Sequence, residues 1–373
     1  MGDVRTDGVM VSGSPGVVHF VVPSTIDDPA RPSGGNRYDR RVCGELAAAG
    51  WLVHEHNAAG AWPRPDVESL QRLADLLATI PDGSTVLVDG LIASNTPEAV
   101  VPSARRLRVV VVLHTSLMEM SSPSSVAVAR RREHAVLSAA HGVVTTSRWA
   151  RERLLDRYPL PAGSVTVAEP GAESAETAIP SPDGGRLICV AAVAPHKGQD
   201  VVLEALAAVA DLDWRCRFVG PLVNGFADGL RRFAVVAGVD ERVEFCGPLD
   251  RANLDGVYAT SDLLLHASQY ETYGMVVTEA LAHGVPVVAT CVGGVREAMG
   301  LASDGRRPGW LVPPGDPAAF AGAIRGWLEH SEQRAELRAA ALDRRQTLTP
   351  WATTAGQVAY ALRAASENLG VSA

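Results

Sequence analysis

The sequence is short of lysine, of closely spaced cysteines and of long apolar runs. The last two shortages each exclude a class of protein. Among its 34 basic residues there is one lysine, Lys197, and the rest are arginines. The five cysteines lie far apart and form no C-x-x-C pair, which argues against a disulfide framework and against a zinc site. No apolar run reaches the roughly 18 residues that a membrane-spanning helix needs, and the first ten residues carry no basic head before an apolar stretch. A reducing, cytoplasmic setting is therefore expected.

The composition narrows the choice further. Hydrophobic residues make up 47% of the chain and charged residues 20%, a globular balance that excludes bulk disorder. At about 150 residues per domain, 373 residues predict two or three domains. The formal net charge of −8 provides no field to draw the chain onto nucleic acid, so a nucleic-acid partner is not expected.

Short apolar, β-branched segments alternate with longer amphipathic ones along most of the chain. The predicted strands are residues 17–22, 85–89, 108–114, 142–147, 186–193, 214–220, 242–247, 262–268, 285–290 and 309–313. Such alternation is typical of βαβ units and parallel sheets. Residues 169–185 are rich in Pro, Gly, Ser and Ala and predict a linker. Two facing, doubly wound α/β domains are expected, followed by helices from Asp316 to about Ala365.

The first candidate binding site lies at the predicted strand-to-helix junction QYETYG. Ligands of open parallel sheets bind at the carboxyl ends of the strands. Here Glu271 falls in the loop and Glu279 in the second helical turn, and amides near Gly274 and Met275 can bind an anion. Because a carboxylate beside a phosphate needs hydroxyl donors, Glu279 suits a ribose diol and Glu271 suits sugar hydroxyls. The pair predicts a nucleotide sugar, although two such residues taken alone are more often ordinary surface carboxylates.

Three further segments bear on ligand binding. APHKGQD places Lys197, a compact charge suited to a diphosphate, at another strand-to-helix junction. VGGVRE contains Gly293 and Gly294, which permit close backbone approach but are by themselves a weak signal. Asp211 and Asp213 match the letters of a metal-binding D-x-D motif, but they precede a predicted strand instead of following one. We interpret them as a surface turn.

These motifs resemble, in their order and separation, the retaining GT-B glycosyltransferases of family four, also called group 1 glycosyl transferases. The match is specific over about 186–330, through VAAVAPHKGQDVVLEAL, HASQYETYGMVVTEALAHGVPVVATCVGGVREAM and GWLVPPGDPAAFAGAI. It is looser in the first half, through SGGNRYDRRVCGELAAAGWLV and VVLHTS. The resemblance implies an acceptor-side Rossmann-like domain over 1–172, a donor domain over 173–347, and a helix in 348–373 that crosses back. The arginine bias is typical of a GC-rich bacterial genome.

The resemblance also implies site residues, position by position. Those implied in catalysis are Glu271, Lys197 and His114. Those implied in substrate binding are Glu279, Gly34, Gly35, Tyr273, Gly274, Met275 and Gly294. Gly34 and Gly35 would form a glycine-rich loop after the first strand. His114 would lie near the reacting side of the sugar.

The chain departs from the family pattern at four positions near these residues. The family's arginine five residues before the lysine is Ala192 here, and Arg296 or an N-domain arginine is the candidate replacement. His266, Thr272 and Tyr273 stand where the family often has proline, glycine and phenylalanine. We interpret these three as tuning and the missing arginine as a gap in the diphosphate site.

The implied reaction moves a hexosyl-type sugar from a nucleotide diphosphate to a small-molecule or lipid-linked acceptor (EC 2.4), keeping the anomeric configuration. The departing phosphate oxygen would help to deprotonate the acceptor, and neither a metal nor a cofactor is expected. The arginine-rich residues 126–137 could contact an anionic membrane weakly, although a solvated helix face is commoner. Two alternatives stay open: a sugar-nucleotide epimerase on the same fold, and a non-catalytic nucleotide-sugar binding subunit. The base, sugar, acceptor and oligomeric state do not follow from the sequence.

Overall fold

The computed structural model describes residues 16–29, 32–223 and 225–367. The N-terminal domain was predicted over 1–172 and the returning helix in 348–373. Residues 1–15 and 368–373 of these two predictions lie outside the described residues. The strands are β1 Val17–Pro23, β2 Leu52–Ala58, β3 Thr85–Asp89, β4 Arg108–Leu113, β5 Gly142–Thr145, β6 Val165–Val167, β7 Arg186–Val190, β8 Arg215–Val219, β9 Val243–Gly247, β10 Leu263–His266, β11 Val287–Thr290 and β12 Gly309–Val312.

The helices connect these strands and continue after the last one. They are α1 Gly34–Ala48, α2 Val67–Thr79, α3 Gly90–Ala93, α4 Pro97–Ser103, α5 Val126–Ala139, α6 Arg148–Arg157, α7 Gln199–Ala207, α8 Phe226–Val236, α9 Arg251–Ala259, α10 Met275–Ala282, α11 Val295–Met299, α12 Pro317–Glu329, α13 Ser331–Arg345 and α14 Trp351–Glu367. Short 3₁₀ turns occupy Ala162–Ser164, Pro195–Lys197 and Asp240–Arg242. Among the described residues, none of these helices is long and apolar enough to cross a membrane.

The strands form two six-stranded sheets. Their orders are β2-β1-β3-β4-β5-β6 and β12-β11-β10-β7-β8-β9. The neighbouring strands run parallel, with registers such as Thr85 opposite Arg108. Both sheets are Rossmann-like, which confirms the prediction of two doubly wound domains. The boundary at 172/173 stays a prediction and falls in the connection between β6 and β7.

The sequence analysis did not predict two of the strands, β2 and β6, and both lie at the edges of their sheet. β2 has the sequence LVHEHNA and buries Ala58 alone, because an edge strand faces solvent on one side. β6 is three residues long. Neither segment shows the apolar run by which the central strands are recognised.

Local capping explains where α1 begins and where α10 begins and ends. Ser33 caps α1 by accepting a hydrogen bond from the amide of Asn36 at 3.0 Å. Gly274 starts α10 with a φ of 98°, a left-handed conformation that glycine adopts without strain. Gly284 follows the end of α10 with a φ of 70°, the left-handed conformation that is typical of a glycine after a helix C-terminus.

The last helix returns to the first domain, as predicted. Trp351, Val358 and Leu362 of α14 join the apolar core that contains Phe20 of β1. The ring of Trp351 also lies edge-on to that of Tyr38 in α1, with centroids 5.8 Å apart. α14 therefore ties the end of the chain to the N-terminal sheet by burial of apolar surface.

Two surface features match their sequence interpretations. Asp211 lies in a turn before β8, exposed and paired with Arg325 at 2.7 Å, as expected for a surface D-x-D. In the arginine-rich helix α5, Arg132 pairs with Glu98 at 2.8 Å. The inner side of α5 carries Glu133, which is buried and accepts hydrogen bonds from Ser116 and Tyr158. Weak membrane contact by this helix stays a prediction.

Candidate active site

The carboxyl ends of both sheets open onto one cleft between the domains. The cleft is closed at one point by Ser147 of the N-terminal domain, whose hydroxyl donates to the carbonyl of Thr272 at 2.6 Å. At another point Gly34 faces Met275, since a Cβ atom on Gly34 would lie 3.6 Å from the Met275 sulfur. The loops that carry the predicted site residues of the two domains are thus brought together.

Lys197 and Glu271 form an ion pair in this cleft. Nζ of Lys197 lies 2.6 Å from Oε1 of Glu271, and the side chains are 23% and 15% exposed. Lys197 ends a 3₁₀ turn after β7, and Glu271 follows β10, the neighbouring strand. Burial acts to raise the pKa of Glu271, but the positive charge of Lys197 and its hydrogen bond lower it below its ordinary value. The glutamate is therefore a carboxylate, held beside the lysine.

His266, the last residue of β10, lies behind this pair as a neutral ring. Its Nε2 atom is buried and 3.5 Å from the same oxygen of Glu271. Burial, assisted by the charge of Lys197, lowers the pKa of His266 to about 4. Nε2 makes no hydrogen bond there, so the neutral imidazole lies beside Glu271 without competing with Lys197 for its charge.

Glu279 lies in the second turn of α10, as predicted, but it already has partners. Oε1 of Glu279 accepts a hydrogen bond from Arg37 of α1, and Oε2 accepts one from the hydroxyl of Tyr258 at 3.2 Å. Arg251 lies 3.9 Å from Oε1, and Arg37 also reaches Glu173 at 3.2 Å. The proposed ribose carboxylate is thus joined to the N-terminal domain by an arginine.

The two N-terminal glycines lie in a different element from the one predicted. Gly34 and Gly35 are the first residues of α1, not a loop, because Ser33 already caps the helix. A Cβ atom on Gly35 would lie 3.2 Å from Cδ2 of His114, so the glycine lets the histidine approach the helix. Glycine here serves close packing at a helix N-terminus.

His114 follows β4 and is bound to an aspartate that the sequence analysis missed. Its Nε2 lies 2.7 Å from Oδ1 of Asp39, which is fully buried in α1. Asp89, the last residue of β3, lies nearby and accepts the amide of Leu91 at 2.6 Å. By distance these three could hold a metal ion, since their ligand atoms lie within 4.8 Å of one another. The hydrogen bond already occupies Nε2, so we interpret the group as a hydrogen-bonded one.

The second glycine pair supports Glu271 from behind. Cβ atoms on Gly293 and Gly294 would lie 1.6 Å from the carbonyl oxygen of Glu271 and 2.2 Å from that of Thr272. The amide of Gly294 donates a hydrogen bond to the backbone carbonyl oxygen of Glu271 at 3.2 Å. Tyr273 is buried in the same region, at 3% exposure. Gly294, predicted to bind substrate, therefore lies where it shapes the Glu271 loop.

The candidates for replacing the arginine missing at Ala192 are now distinguishable. The guanidinium of Arg296 turns to the sulfur of Cys291, 3.3 Å away. Arg37 reaches from the N-terminal domain to Glu279 in the cleft. Arg37 is therefore an N-domain arginine that reaches the cleft, and its role as a replacement for the missing arginine stays a prediction. Its position three residues after Gly34 is the signal by which sequence reasoning could have found it.

A carboxylate of the C-terminal domain caps a helix of the N-terminal domain. The two oxygens of Glu297 in α11 accept the amides of Arg148 and Trp149, at 2.9 and 2.7 Å, at the start of α6. Such a contact satisfies free amides and complements the helix dipole. Glu297 therefore stabilises the closed arrangement of the two domains.

Replacing Glu297 by alanine is expected to open the cleft. An N-terminal cap is worth about 1 kcal/mol, close to a fivefold change in an equilibrium constant. Small-angle scattering should show a larger radius of gyration than for the wild type. Asp66→Ala is the matched control, because Asp66 caps α2 by accepting the Ser69 amide at 2.8 Å within one domain. An unchanged radius for Glu297→Ala would contradict a closing role.

Comparisons with known proteins agree with this architecture. Residues 175–344 match the family model described as "Glycosyl transferases group 1". Among solved structures, the sucrose-phosphate synthase of Thermosynechococcus elongatus superposes with a TM-score of 0.74 and 21% identity, covering 93% of this chain and 98% of that one. HepE of Anabaena, in complex with UDP and glucose, superposes with a TM-score of 0.68 and 21% identity, covering 93% and 99%. The fold is GT-B.

Curated relatives point to the same group. D-inositol 3-phosphate glycosyltransferases of Kineococcus radiotolerans and Stackebrandtia nassauensis are each 30% identical to this chain, over 249 and 291 residues. The alignments cover 60% and 72% of this chain and 57% and 64% of the relatives, so the chain spans little more than half the length of the curated relatives it matches. The C-terminal part of the chain, residues 175–344, belongs to the group 1 glycosyl transferases.

Proposed function

We propose that this protein is a retaining, metal-independent glycosyltransferase that moves a sugar from a nucleotide diphosphate to an acceptor entering from the N-terminal side. The observation that carries the proposal is the Lys197–Glu271 pair at 2.6 Å, whose glutamate lies in the loop that leads into α10, the helix that carries Glu279. A cation and free amides suit a diphosphate, and the carboxylates suit hydroxyl groups. In this proposal His114 completes the site from the N-terminal domain.

In this proposal each residue acts on a different part of the donor. Lys197 and the amides at the start of α10 stabilise the charge that grows on the departing diphosphate. Glu271 binds the sugar hydroxyls, and Glu279 exchanges its bond with Arg37 for the ribose diol. Arg37, once released, adds positive charge near the diphosphate, where Ala192 has none. The interactions with the departing diphosphate strengthen in the transition state, as rate acceleration requires, whereas the ribose contact binds the donor.

The donor class we propose is a UDP-sugar. The support is the structural likeness to HepE of Anabaena, which was solved in complex with UDP-glucose and, separately, with UDP and glucose. A phosphorylated cyclitol is the first acceptor to test, because the curated relatives are named for D-inositol 3-phosphate. All five cysteines are free thiols, which supports action in the reducing cytoplasm.

A thermal-shift panel tests the donor site. In the presence of EDTA, a UDP-sugar at 100 times its Kd should stabilise the wild type by about 2.7 kcal/mol, whereas ADP-, GDP- and dTDP-sugars should not. Glu279→Ala should lose this shift, because the ribose loses its acceptor. Glu173→Ala is the matched control, since Glu173 binds the same Arg37 at 3.2 Å without lying on α10.

The outcomes separate the alternatives. Conversion of the donor to a second sugar nucleotide without any acceptor would point to an epimerase. A shift with no turnover of any donor, with or without acceptors, would point to a binding subunit. Dependence of the shift on a divalent cation would contradict the metal-independent site.

A further inference from the structure

A line of three titratable side chains runs from the end of β3 to the cleft. Asp89 is 2% exposed and Asp39 is fully buried, while the side chain of His114 is 16% exposed. Asp39 lies in the second turn of α1, four residues after Gly35 and hence on the same helix face. The histidine is the member of this line that presents surface to the cleft.

The imidazole of His114 is held on several sides. Asp39 binds Nε2 at 2.7 Å, so Nδ1 is the ring nitrogen left for a ligand. The ring of Tyr38 lies edge-on to it, with centroids 5.0 Å apart. Gly35 packs against Cδ2, where a Cβ atom would make a tight contact at 3.2 Å. The direction of the Nδ1–H bond is therefore set by the protein before any ligand arrives.

The charges along the line are coupled. Burial and the negative charge of Asp39 raise the pKa of Asp89 to about 7, because two adjacent buried carboxylates do not ionise together readily. Burial acts to lower the pKa of His114, but the charge of Asp39, its hydrogen bond and the charge of Asp89 together raise it to about 9. At neutral pH the histidine is an imidazolium paired with the Asp39 carboxylate.

We propose that Asp39, supported by Asp89, is a positioning residue that holds His114 as an imidazolium and directs its Nδ1–H onto an oxygen of the bound nucleotide sugar. This inference rests on the proposed function, since it gives His114 a sugar nucleotide to contact. A ring protonated on both nitrogens donates hydrogen bonds and accepts no proton. His114 therefore acts as a charged donor, and its positive charge complements a diphosphate site that has alanine at position 192.

Three parts of the structure contribute side chains near the imidazole of His114: α1, β3 and the C-terminal domain. α1 contributes Asp39 and Tyr38, and β3 contributes Asp89. Burial raises the pKa of Tyr38 well above its ordinary value, so this phenol is neutral over the range of the measurement. Opposite Gly34 the C-terminal domain presents the uncharged thioether of Met275. The state of His114 is thus governed by the two aspartates.

Nuclear magnetic resonance tests the inference without any substrate. The protein is labelled with ¹⁵N at histidine, and the His114 signals are assigned through His114→Gln. The ring of His114 should stay protonated on both nitrogens up to about pH 9. In Asp39→Asn, which keeps the shape and removes the charge, the midpoint should fall well below 9, because the adjacent charge and its hydrogen bond are lost while burial remains. Asp89→Asn should lower the midpoint by less. Asp27→Asn, in an exposed pair with Arg40, is the matched control and should leave it unchanged.

The pH profile of turnover distinguishes positioning from a structural role. Wild-type kcat should hold up to about pH 9 and fall above it, as the imidazolium is lost. Asp39→Asn should lie within a few-fold of wild type at pH 6 and at least tenfold below it at pH 8. A kcat lowered equally at every pH, or a His114 midpoint that Asp39→Asn does not move, overturns the inference. If Asp39→Asn fails to fold, Asp89→Asn carries the same two readouts.

Failure of this inference and failure of the proposed function leave different results. If the wild type neither binds nor turns over any sugar nucleotide, the proposed function fails, while the resonance titration still reports on the three residues. If the wild type transfers sugar and the two aspartate variants keep its pH profile, the transferase stands and the positioning role of Asp39 is overturned.

Discussion

Replacing Lys197 by methionine should lower kcat by about 10²–10³-fold while the protein stays folded. The size is that found when one preorganised donor is removed from a developing negative charge. Methionine keeps the length of the side chain and removes the cation. Loss of Lys197 also leaves the Glu271 carboxylate without its partner at 2.6 Å, in a site where burial already disfavours its charge. Steady-state turnover of a UDP-sugar with an acceptor measures the effect.

Lys197→Arg tests whether a positive charge alone is sufficient at this position. The cleft side chain is a compact ammonium at the end of a 3₁₀ turn, and a planar guanidinium on a longer stem does not occupy that position. The arginine variant should therefore recover little of the lost kcat. The matched control is Arg217→Met, which removes the cation of an exposed pair with Glu244 on β8 and β9 and should change kcat by less than twofold. Full activity of Lys197→Arg would show that charge alone suffices.

Replacing Gly294 by alanine should damage both stability and catalysis. The new Cβ atom would lie 2.2 Å from the carbonyl oxygen of Thr272, which belongs to the backbone and cannot rotate away. Overpacking of this kind costs about 1–3 kcal/mol. The loop that moves in response carries Glu271, and a displacement of about 1 Å at a reacting centre can cost about 10²-fold in rate. Denaturant unfolding and kcat measure the two effects separately.

Gly256→Ala is the control for Gly294→Ala. Gly256 lies inside α9, where an added Cβ atom meets nothing within 4 Å. This variant should be as stable as the wild type or more stable by up to about 1 kcal/mol, since alanine favours the helix. Its kcat should be unchanged. If Gly294→Ala retained full activity, the glycine pair would have no part in holding Glu271.

The residues of the C-terminal half were predictable because each follows an apolar strand. Lys197 follows β7 and Glu271 follows β10, and parallel strands bring such residues to one edge of a sheet. The eight-residue step from Glu271 to Glu279 fixes the second carboxylate on the helix that the loop enters. Local sequence therefore determines these positions with little help from the rest of the fold.

The N-terminal side of the site was harder to predict. His114 follows β4 and was found through the family resemblance, but Asp39 lies inside a helix, where nothing local marks it as more than a polar residue. Asp89 ends β3 and could have been found by the same strand-end rule that identified Glu271. Arg37 and Arg251 meet Glu279 from different domains, at separations in sequence that no periodicity encodes.

The sequence alone determined the two Rossmann-like domains, because hydrophobic period, turn chemistry and strand-end position are local properties of a chain. Strand-end position also singled out Lys197, Glu271 and Glu279, whose roles stay predictions, and the family resemblance implied the returning helix. The tertiary structure alone decided which charges are paired. It placed Arg37 on Glu279, Glu297 on the start of α6, and Asp39 on His114. The energy of a charge depends on its partners and its burial, and both are set by residues distant in sequence. The protonation of the candidate site is therefore a property of the closed fold.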